Sequence, residues 1–541
     1  MQNFIIGIDT GGTYTDAVLL DTDTKEIIAT AKQPTTHFQL SRGTGKALAD
    51  ILTNSGVKAE QVKTVAVSST LATNSVVENK GARVAVIVIG YVKHFKLPVK
   101  AVVFVKGGHT ITGDEEEPLD IDYLVRLIEG LKNEVDAYGI CSAMSIKNPA
   151  HELVAEKAIA MLDPKPTFCS HRISQLAGMQ ERAATAGLHA KLMPVMDEFV
   201  TGVRGAMKQL DLLCPMMVIG GNGTPLDERE AVSQAGLTVA SGPACSAYYG
   251  RLHATPDGRA LVVDVGGTTT DIAIIENDKP LLAPEGCTVG RWKTHVEAVD
   301  MQTTGVGGDS YVHVDARGNL TLGPSRVTPV SMAGHIPRPD QWLGAGGKSK
   351  LIMLHQKSRE LENNELYRLM ADKTMVTPET IRQELGLGGI PLQQQLESLT
   401  RKQLIVEYGF TPTDALHVLD KLNIGDKTRA VEAAAVLGGE LAMSSIEFSH
   451  MVLHRTGELI ENAIIEYLMR LHFDQSAGNI IAGCRNHPVL DIDFSLKLPI
   501  IGIGAAARTL LPDVAKNLKT VITFPKHSEV GNAIGAALTA L

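Results

Sequence analysis

The chain lacks any excess of basic charge: 51 Lys and Arg stand against 60 Asp and Glu, giving a net charge of −9 and a pI near 6.0. That balance argues against a nucleic-acid footprint, which needs a basic face, while leaving room for small anions to bind locally. Long apolar runs are missing as well. Segments such as 84–89 (VAVIVI) are too short to span a bilayer. The N-terminus enters a strand-like segment without the charged start and cleavage site of a signal peptide, so the expected setting is the cytoplasm, with no membrane partner. The six cysteines (Cys141, Cys169, Cys214, Cys245, Cys287, Cys484) never fall into a C-x-x-C pair. A disulfide framework and a cysteine-built zinc site are therefore not expected, and the thiols read as reduced core residues. Neither G-x-x-x-x-G-K-[ST] nor H-E-x-x-H occurs, and no metal-binding spacing unites His109, His171, His189 and His295. The acidic run 114–117 (DEEE) reads as a solvated loop.

What is present is the composition of a folded chain, with 541 residues, 44% apolar and 21% charged. That length exceeds what one hydrophobic core serves. Within it one turn occurs twice. Residues 8–16 read IDTGGTYTD and residues 263–271 read VDVGGTTTD, so Asp9 and Asp16 recur as Asp264 and Asp271. Each copy sits in a strand–turn–strand unit. FIIGID (4–9) and YTDAVLLD (14–21) flank the first, with EIIATAKQ (26–33) as a third strand. ALVVDVG (260–266) and TDIAIIE (270–276) flank the second, with LLAPEG (281–286) as the expected third strand. Helix-like and strand-like segments alternate after the first copy, which predicts a mixed α/β layer.

Paired glycines let a backbone approach a phosphate with no Cβ in the way, and successive N–H groups in such a turn form an anion-binding concavity. Thr10, Gly11, Gly12, Thr13 and Thr15 form the first cradle; Gly266, Gly267, Thr268, Thr269 and Thr270 form the second. Asp9 and Asp264, at strand ends, are placed to hold Mg²⁺ through water. Asp16 and Asp271 are expected to fix the turns by accepting backbone N–H groups. Two facing cradles would clamp a polyphosphate from both sides. Thr70, Thr73 and Asn74 lie at a strand-to-helix junction, where they either contact substrate or cap the helix that follows.

These duplicated turns resemble the phosphate-1 and phosphate-2 motifs of the actin-like ATPase superfamily. IIGIGAAA (500–507), with Gly502, Gly504 and Ala505, is similar to its adenosine motif, and TTGVGGDS (303–310), with Gly305, Gly307 and Gly308, occupies the place of a Gly-Gly turn beside the nucleotide. A narrower resemblance is to the ATP-binding A subunit of the hydantoinase/oxoprolinase family. It rests on IDTGGTYTD, STLATNSVVENKGARVAVIV (69–88), SHRISQLAGMQERAATAGLHAKLMP (170–194), ASGPACSAYYG (240–250), VVDVGGTTTDIAII (262–275), TTGVGGDSYVHVD (303–315) and GFTPTDALHVL (409–419). The resemblance implies two RNase H-like domains related by pseudo-two-fold duplication, placed at 1–190 and 191–541; within the second, TPETIRQELGLGGIPLQQQLESLTRKQLIVEYG (377–409) reads as three short helices and a small strand, a pattern that resembles a winged-helix unit inserted at about 340–430.

It also implies ATP and Mg²⁺ as cofactors and transfer of phosphate to the oxygen of a lactam, cyclic imide or related carbonyl. Ring opening or carboxylation would follow on a B-type partner subunit, and the chain is expected to be hetero- or homo-oligomeric. At 322–344 the chain reads LGPSRVTPVSMAGHIPRPDQWLG, where larger members carry a Gly-Ala-Asp-Pro-Gly-Pro-like segment, which leaves the substrate class open. Two alternatives stand beside this reading: a non-catalytic ATPase switch that controls a partner protein, and, more weakly, a small-molecule kinase.

Overall fold

The computed structural model describes residues 3–11, 14–35, 40–77, 80–90, 94–173, 175–283, 285–289, 292–355, 361, 364–373, 375–401, 404–473, 489 and 493–541. Gly12, Thr13 and Cys484 lie outside the described residues. Two compact units emerge. The first comprises Met1–Leu252, Asp278–Asp300 and Val530–Leu541; the second comprises His253–Asn277 and Met301–Glu529.

The first unit is built on two sheets. Strands β1 (Phe4–Thr10), β2 (Tyr14–Asp21) and β3 (Ile27–Pro34) form an antiparallel meander whose register sets Asp9 opposite Asp16. On the other side of β1, β4 (Val62–Ser69) runs parallel to it. The sheet is completed by β9 (Met216–Ile219) and β10 (Pro225–Asp227), in the order β10-β9-β4-β1-β2-β3. Ile5, Ile6 and Ile8 of β1 are fully buried, as is Leu19 of β2. This two-sided burial explains why the strands read as β-branched runs rather than as a clean alternation.

The second sheet is wholly parallel, with β5 (Val84–Ile89), β6 (Ala101–Val105), β7 (Ala137–Ser142) and β8 (Thr167–Cys169) in the order β6-β5-β7-β8. A 31-residue helix, Met179–Gln209, packs on both sheets' apolar clusters through residues such as Leu188 and Ala186. The expected domain boundary at 190/191 falls inside this helix, and the first unit instead continues to Leu252. The reason is continuous burial: seventeen of the helix's residues are buried, so the chain has no exposed linker there.

In the second unit β11 (Ala260–Val265) and β12 (Thr270–Glu276) form a hairpin that sets Asp264 opposite Asp271. The strand Ile500–Ile503 lies parallel to β11. The antiparallel neighbour of β12 at Thr270–Ala273 is Met301–Thr304, which corrects the expectation of a strand at 281–286. Residues 278–300 instead return to the first unit, where Leu282 makes only an isolated bridge to Val299 and the buried indole of Trp292 rests against Gly187. An indole of that size commits its segment to the core it fills.

Within about 340–430, strands Lys350–Leu354 and Ile405–Gly409 pair antiparallel, and helices Glu365–Asp372, Pro378–Leu385 and Gly389–Arg401 close a small apolar cluster of their own. Among the described residues no helix is long and apolar enough to cross a membrane. The described cysteines are free, four of them buried.

One buried histidine makes the first unit's stability pH-dependent. His189 is fully buried, accepts the Gly236 N–H on Nδ1 at 3.0 Å and stacks on Phe168. Burial pushes its pKa down to about 3. Below pH 6.5 the unfolded chain takes up a proton that the folded chain refuses, so stability falls as the pH drops from 6.5 toward 3. About 3 kcal/mol should be lost from this group between pH 7 and pH 4. Urea unfolding at the two pH values checks it: His189→Asn, whose amide oxygen can take the Gly236 N–H, should show a smaller difference than the unaltered chain.

Candidate functional site

The first Gly-Gly turn is closed by the Gly11 N–H on the Tyr14 carbonyl at 3.0 Å, and Thr35 Oγ1 donates to the Gly11 carbonyl at 2.9 Å. Asp9 lies beneath it, almost completely buried. Its Oδ1 accepts the Ser68 hydroxyl at 2.6 Å, and its Oδ2 accepts Asn532 Nδ2 at 3.2 Å. A Cβ on Gly242, in the first turn of the helix Ser241–Gly250, would come within 3.4 Å of Asp9 Oδ1. The segment ASGPACSAYYG thus meets the first turn through Gly242, and Ala240 enters that helix at φ +62°.

Thr10 is buried, and its carbonyl accepts the Thr70 N–H at 3.1 Å. The Thr70 hydroxyl donates to the same carbonyl, and Asn74 Nδ2 donates to Thr70 Oγ1 at 3.2 Å. Thr73 Oγ1 accepts the Ala240 N–H at 2.9 Å. The STLATNS segment therefore ties the first turn to the Ser241 helix, and Ser69 Oγ, rather than Thr70, accepts the Leu71 N–H at the start of the helix Leu71–Val77. Thr15 is fully buried with its hydroxyl 3.2 Å from that of Thr35, so it braces the turn from inside.

The second turn has the same build. Gly266 N–H closes on the Thr269 carbonyl at 3.0 Å, leaving Thr268 exposed and Thr269 half-buried. Thr270 is buried and donates to the Val306 carbonyl at 2.8 Å. The GVGG turn is laced directly onto it. Gly308 N–H donates to the Gly266 carbonyl at 3.0 Å and Asp309 N–H to the Gly267 carbonyl at 2.7 Å. A Cβ on Gly307 would lie 2.6 Å from the Gly266 carbonyl, so the close approach requires glycine. Gly305 packs against Pro324.

GFTPTDALHVL supports this arrangement: Thr413 N–H and Oγ1 both donate to the Gly308 carbonyl at 2.8 Å, while the Asp414 carboxylate gathers the N–H groups of Val330, Ser331 and Thr411. From the adenosine-like motif, Gly504 stands at φ +93°, where a Cβ would lie 2.4 Å from Asp264 Oδ1. Ala506 N–H donates to the Val265 carbonyl at 3.1 Å, and Ala505 is exposed. Gly502 lies deeper, against the Phe524 ring. Asp264, Gly266, Gly267, Gly307, Gly308 and Gly504 are thereby brought together within the second unit.

One expectation changes. Asp16 accepts Lys32 Nζ at 2.7 Å and Asp271 accepts the Thr303 hydroxyl at 2.6 Å, so each carboxylate is tied to the neighbouring strand, and for Asp271 this contact stands where a bond to turn N–H groups was expected. The physical reason is register, because Lys32 and Thr303 are their cross-strand partners. Burial pushes the Asp271 carboxyl up to about 6, against the lowering effect of the Thr303 hydroxyl. The acidic run 114–117 is exposed as expected, and from it Glu115 reaches Nε2 of the buried His151 at 2.9 Å.

Sequence reasoning passed over Ser68, Asn532, Asp309 and Arg326, which pairs with Asp309 at 3.1 Å. It also missed the grouping of Glu152, Cys169 and His171, whose ligand atoms lie within 4.8 Å of one another. That trio is bonded within itself. Glu152 accepts the Ser142 N–H, the Ser170 hydroxyl, the His171 N–H and His171 Nδ1–H, and Cys169 Sγ donates to the Glu152 carbonyl. Burial alone would raise the Glu152 pKa, but these donors outweigh it and hold the carboxyl below its usual value. A buried carboxylate satisfied this fully is a structural anchor.

Carboxylates at strand ends beside glycine turns supply hard oxygen donors, which fit a hydrated Mg²⁺ ion next to bound phosphate. The close backbone approaches at Gly307 and Gly504 let the GVGG turn and the end of the strand Ile500–Ile503 pack directly onto the second turn.

The family profile described as "Hydantoinase/oxoprolinase N-terminal region" matches residues 5–162, and that described as "Hydantoinase/oxoprolinase" matches residues 182–484. The caprolactamase subunit alpha of Pseudomonas jessenii is 25% identical over 361 residues, covering 60% of this chain and 50% of its own length. The acetophenone carboxylase gamma subunit of Aromatoleum aromaticum is 25% identical over 377 residues, covering 62% of this chain and 50% of its own length. This chain thus spans about half the length of the curated relatives it matches. Its fold is shared with nucleotide-free acetone carboxylase (TM-score 0.68, 17% identity, 99% of this chain and 70% of that one). It is shared as well with the ATP-dependent caprolactamase of Pseudomonas jessenii (TM-score 0.65, 20% identity, 98% of this chain and 70% of that one).

Proposed function

Because this chain belongs to the hydantoinase/oxoprolinase family, we propose that it is the ATP-binding, carbonyl-activating component of an enzyme acting on a lactam, cyclic imide or related carbonyl. The observation that carries this reading is the lacing of the second Gly-Gly turn to the GVGG turn and to Gly504 around Asp264. Three glycine-rich segments far apart in sequence meet at this turn, the GVGG turn on Gly266 and Gly267 and Gly504 on Asp264, which supports a polyphosphate cradle. The matching build of the first turn around Asp9 supports a duplicated phosphate-binding element and two RNase H-like halves. The helices and paired strands within 340–430 are read as the winged-helix-like insertion.

In this reading turn N–H groups other than those of Gly11, Gly266 and Gly308, which bond within the chain, take the phosphate oxygens, and Asp9 and Asp264, each beside its own turn, orient the water shell of Mg²⁺, which when bound neutralises phosphate charge. The chain's own contribution is positioning. Phosphorylation turns the carbonyl oxygen into a leaving group, and a B-type partner subunit then completes ring opening or carboxylation. The names of the ATP-dependent caprolactamase and of the carboxylase relatives support both outcomes.

Purified chain with Mg-ATP is tested for phosphate release with and without hydantoin, 5-oxoproline, caprolactam and simple ketones, alone and together with the product of the adjacent gene. Stimulation by one carbonyl class is expected. Turnover that none of them stimulates under either condition would favour the ATPase-switch alternative and remove the carbonyl-activating one.

A further inference from the structure

The helix Gly531–Thr539 belongs to the first unit although it stands at the far end of the chain. It lies unusually close to β1 and to the Ser241 helix. A Cβ on Gly7 would fall 2.1 Å from the Ala533 carbonyl, and one on Gly535 would fall 1.9 Å from the Cys245 carbonyl. This approach sets Asn532, in the helix's first turn, beside Asp9. Its Nδ2 donates to Asp9 Oδ2 at 3.2 Å, and the Ser246 hydroxyl donates to its Oδ1. The Asp9 bond fixes the sense of the amide, since a carboxylate oxygen accepts only from the NH₂ side, and the Ser246 hydroxyl then meets the carbonyl side as a donor. With Ser68 on Oδ1, each oxygen of Asp9 then accepts a neutral donor. These two bonds hold the carboxylate in one orientation.

We propose that Asn532, oriented by Ser246, is a positioning residue that aims the Asp9 carboxylate at the hydrated Mg²⁺ of the bound nucleotide. This rests on the nucleotide reading given above, but it adds a residue lying beyond both profile-matched segments, 5–162 and 182–484. A partner that orients a carboxylate bonded to the ion's water shell acts on the ion's affinity and not on contacts made by the nucleotide alone. Outer-shell partners of this kind are worth about 10- to 100-fold in metal affinity.

Binding of the β,γ-imido analogue of ATP to the full chain is measured by titration calorimetry across a Mg²⁺ series and again in EDTA. For Asn532→Ala the half-saturating Mg²⁺ concentration should rise about tenfold or more, with the metal-free nucleotide affinity unchanged. Ser246→Ala, which leaves the amide in place but free to turn over, should give a smaller rise in the same direction. Asn532→Asp, which puts an acceptor where the donor stood, should be at least as damaging as alanine. Circular dichroism establishes that each variant is folded; should Asn532→Ala not fold, Ser246→Ala carries the comparison. A Mg²⁺ dependence equal to that of the unaltered chain, or equal weakening with and without metal, overturns the proposal while leaving the nucleotide reading intact. An unaltered chain that binds no analogue at any Mg²⁺ concentration overturns both.

Discussion

Asp264→Ala is expected to lower nucleotide turnover by about 10³-fold or more while the chain stays folded. Asp264 stands at the end of β11 with little of its surface exposed, and three turns meet around it: its own Gly-Gly turn, the GVGG turn laced to Gly266 and Gly267, and the turn at Gly504. Removing one preorganised electrostatic group from such a site costs about 10²–10³ in rate, and loss of the oxygen that orients a metal's water shell adds to it. The fold should survive, because the hydrophobic strand Ala260–Val265 keeps its hairpin and its parallel neighbour. Asp264→Asn keeps the shape without the charge and should be nearly as inactive. Asp271→Asn is the control. Its cross-strand partner sits on the same hairpin, but Thr303 can bond an amide as readily as a carboxyl, so turnover should change little. Phosphate release from Mg-ATP checks all three, and retained activity in Asp264→Ala would remove the cradle assignment.

Much of this site was legible in the sequence because its parts are short and local. A β-branched run ending in Asp, then Gly-Gly-Thr, then a second run defines a hairpin within fewer than twenty residues, and both strand pairs form as read. The spacing that puts Asp9 and Asp264 in their motifs also fixes Asp16 and Asp271 as their cross-strand partners. What the second carboxylates bond was not legible, since Lys32 and Thr303 arrive from third strands whose register depends on the whole sheet. The third strand beside β12 was misplaced for the same reason: the stretch after the hairpin is taken by another core, where Trp292 is buried. Asn532 and Asp9 stand 523 residues apart, and no periodicity reports a contact of that kind. Glu152, Cys169 and His171 carry no metal-type spacing either, because β7, β8 and the helix Ala150–Leu162 assemble them.

The largest expected effect on stability comes from the glycines that let the last helix down onto the first sheet. Gly535→Ala places a methyl 1.9 Å from the Cys245 carbonyl, a distance no real Cβ tolerates, and the obstacle is helix backbone rather than the end of a flexible side chain. The helix Gly531–Thr539 must lift or tilt. Overpacking of this sort costs about 1–3 kcal/mol where side chains can yield, and a backbone obstacle places this variant at about 3 kcal/mol or above. Gly205→Ala provides the contrast. It lies exposed in the long helix Met179–Gln209 with nothing within 4 Å of the new methyl, so it should stabilise by about 0.5–1 kcal/mol through helix propensity. Thermal unfolding of the two variants should therefore shift in opposite directions. The lifted helix also carries Asn532 away from Asp9, so Gly535→Ala should raise the Mg²⁺ requirement for nucleotide binding even at temperatures where the variant is fully folded. A variant that is merely less stable would bind at low temperature as the unaltered chain does, and that comparison separates loss of packing from loss of the Asn532–Asp9 contact.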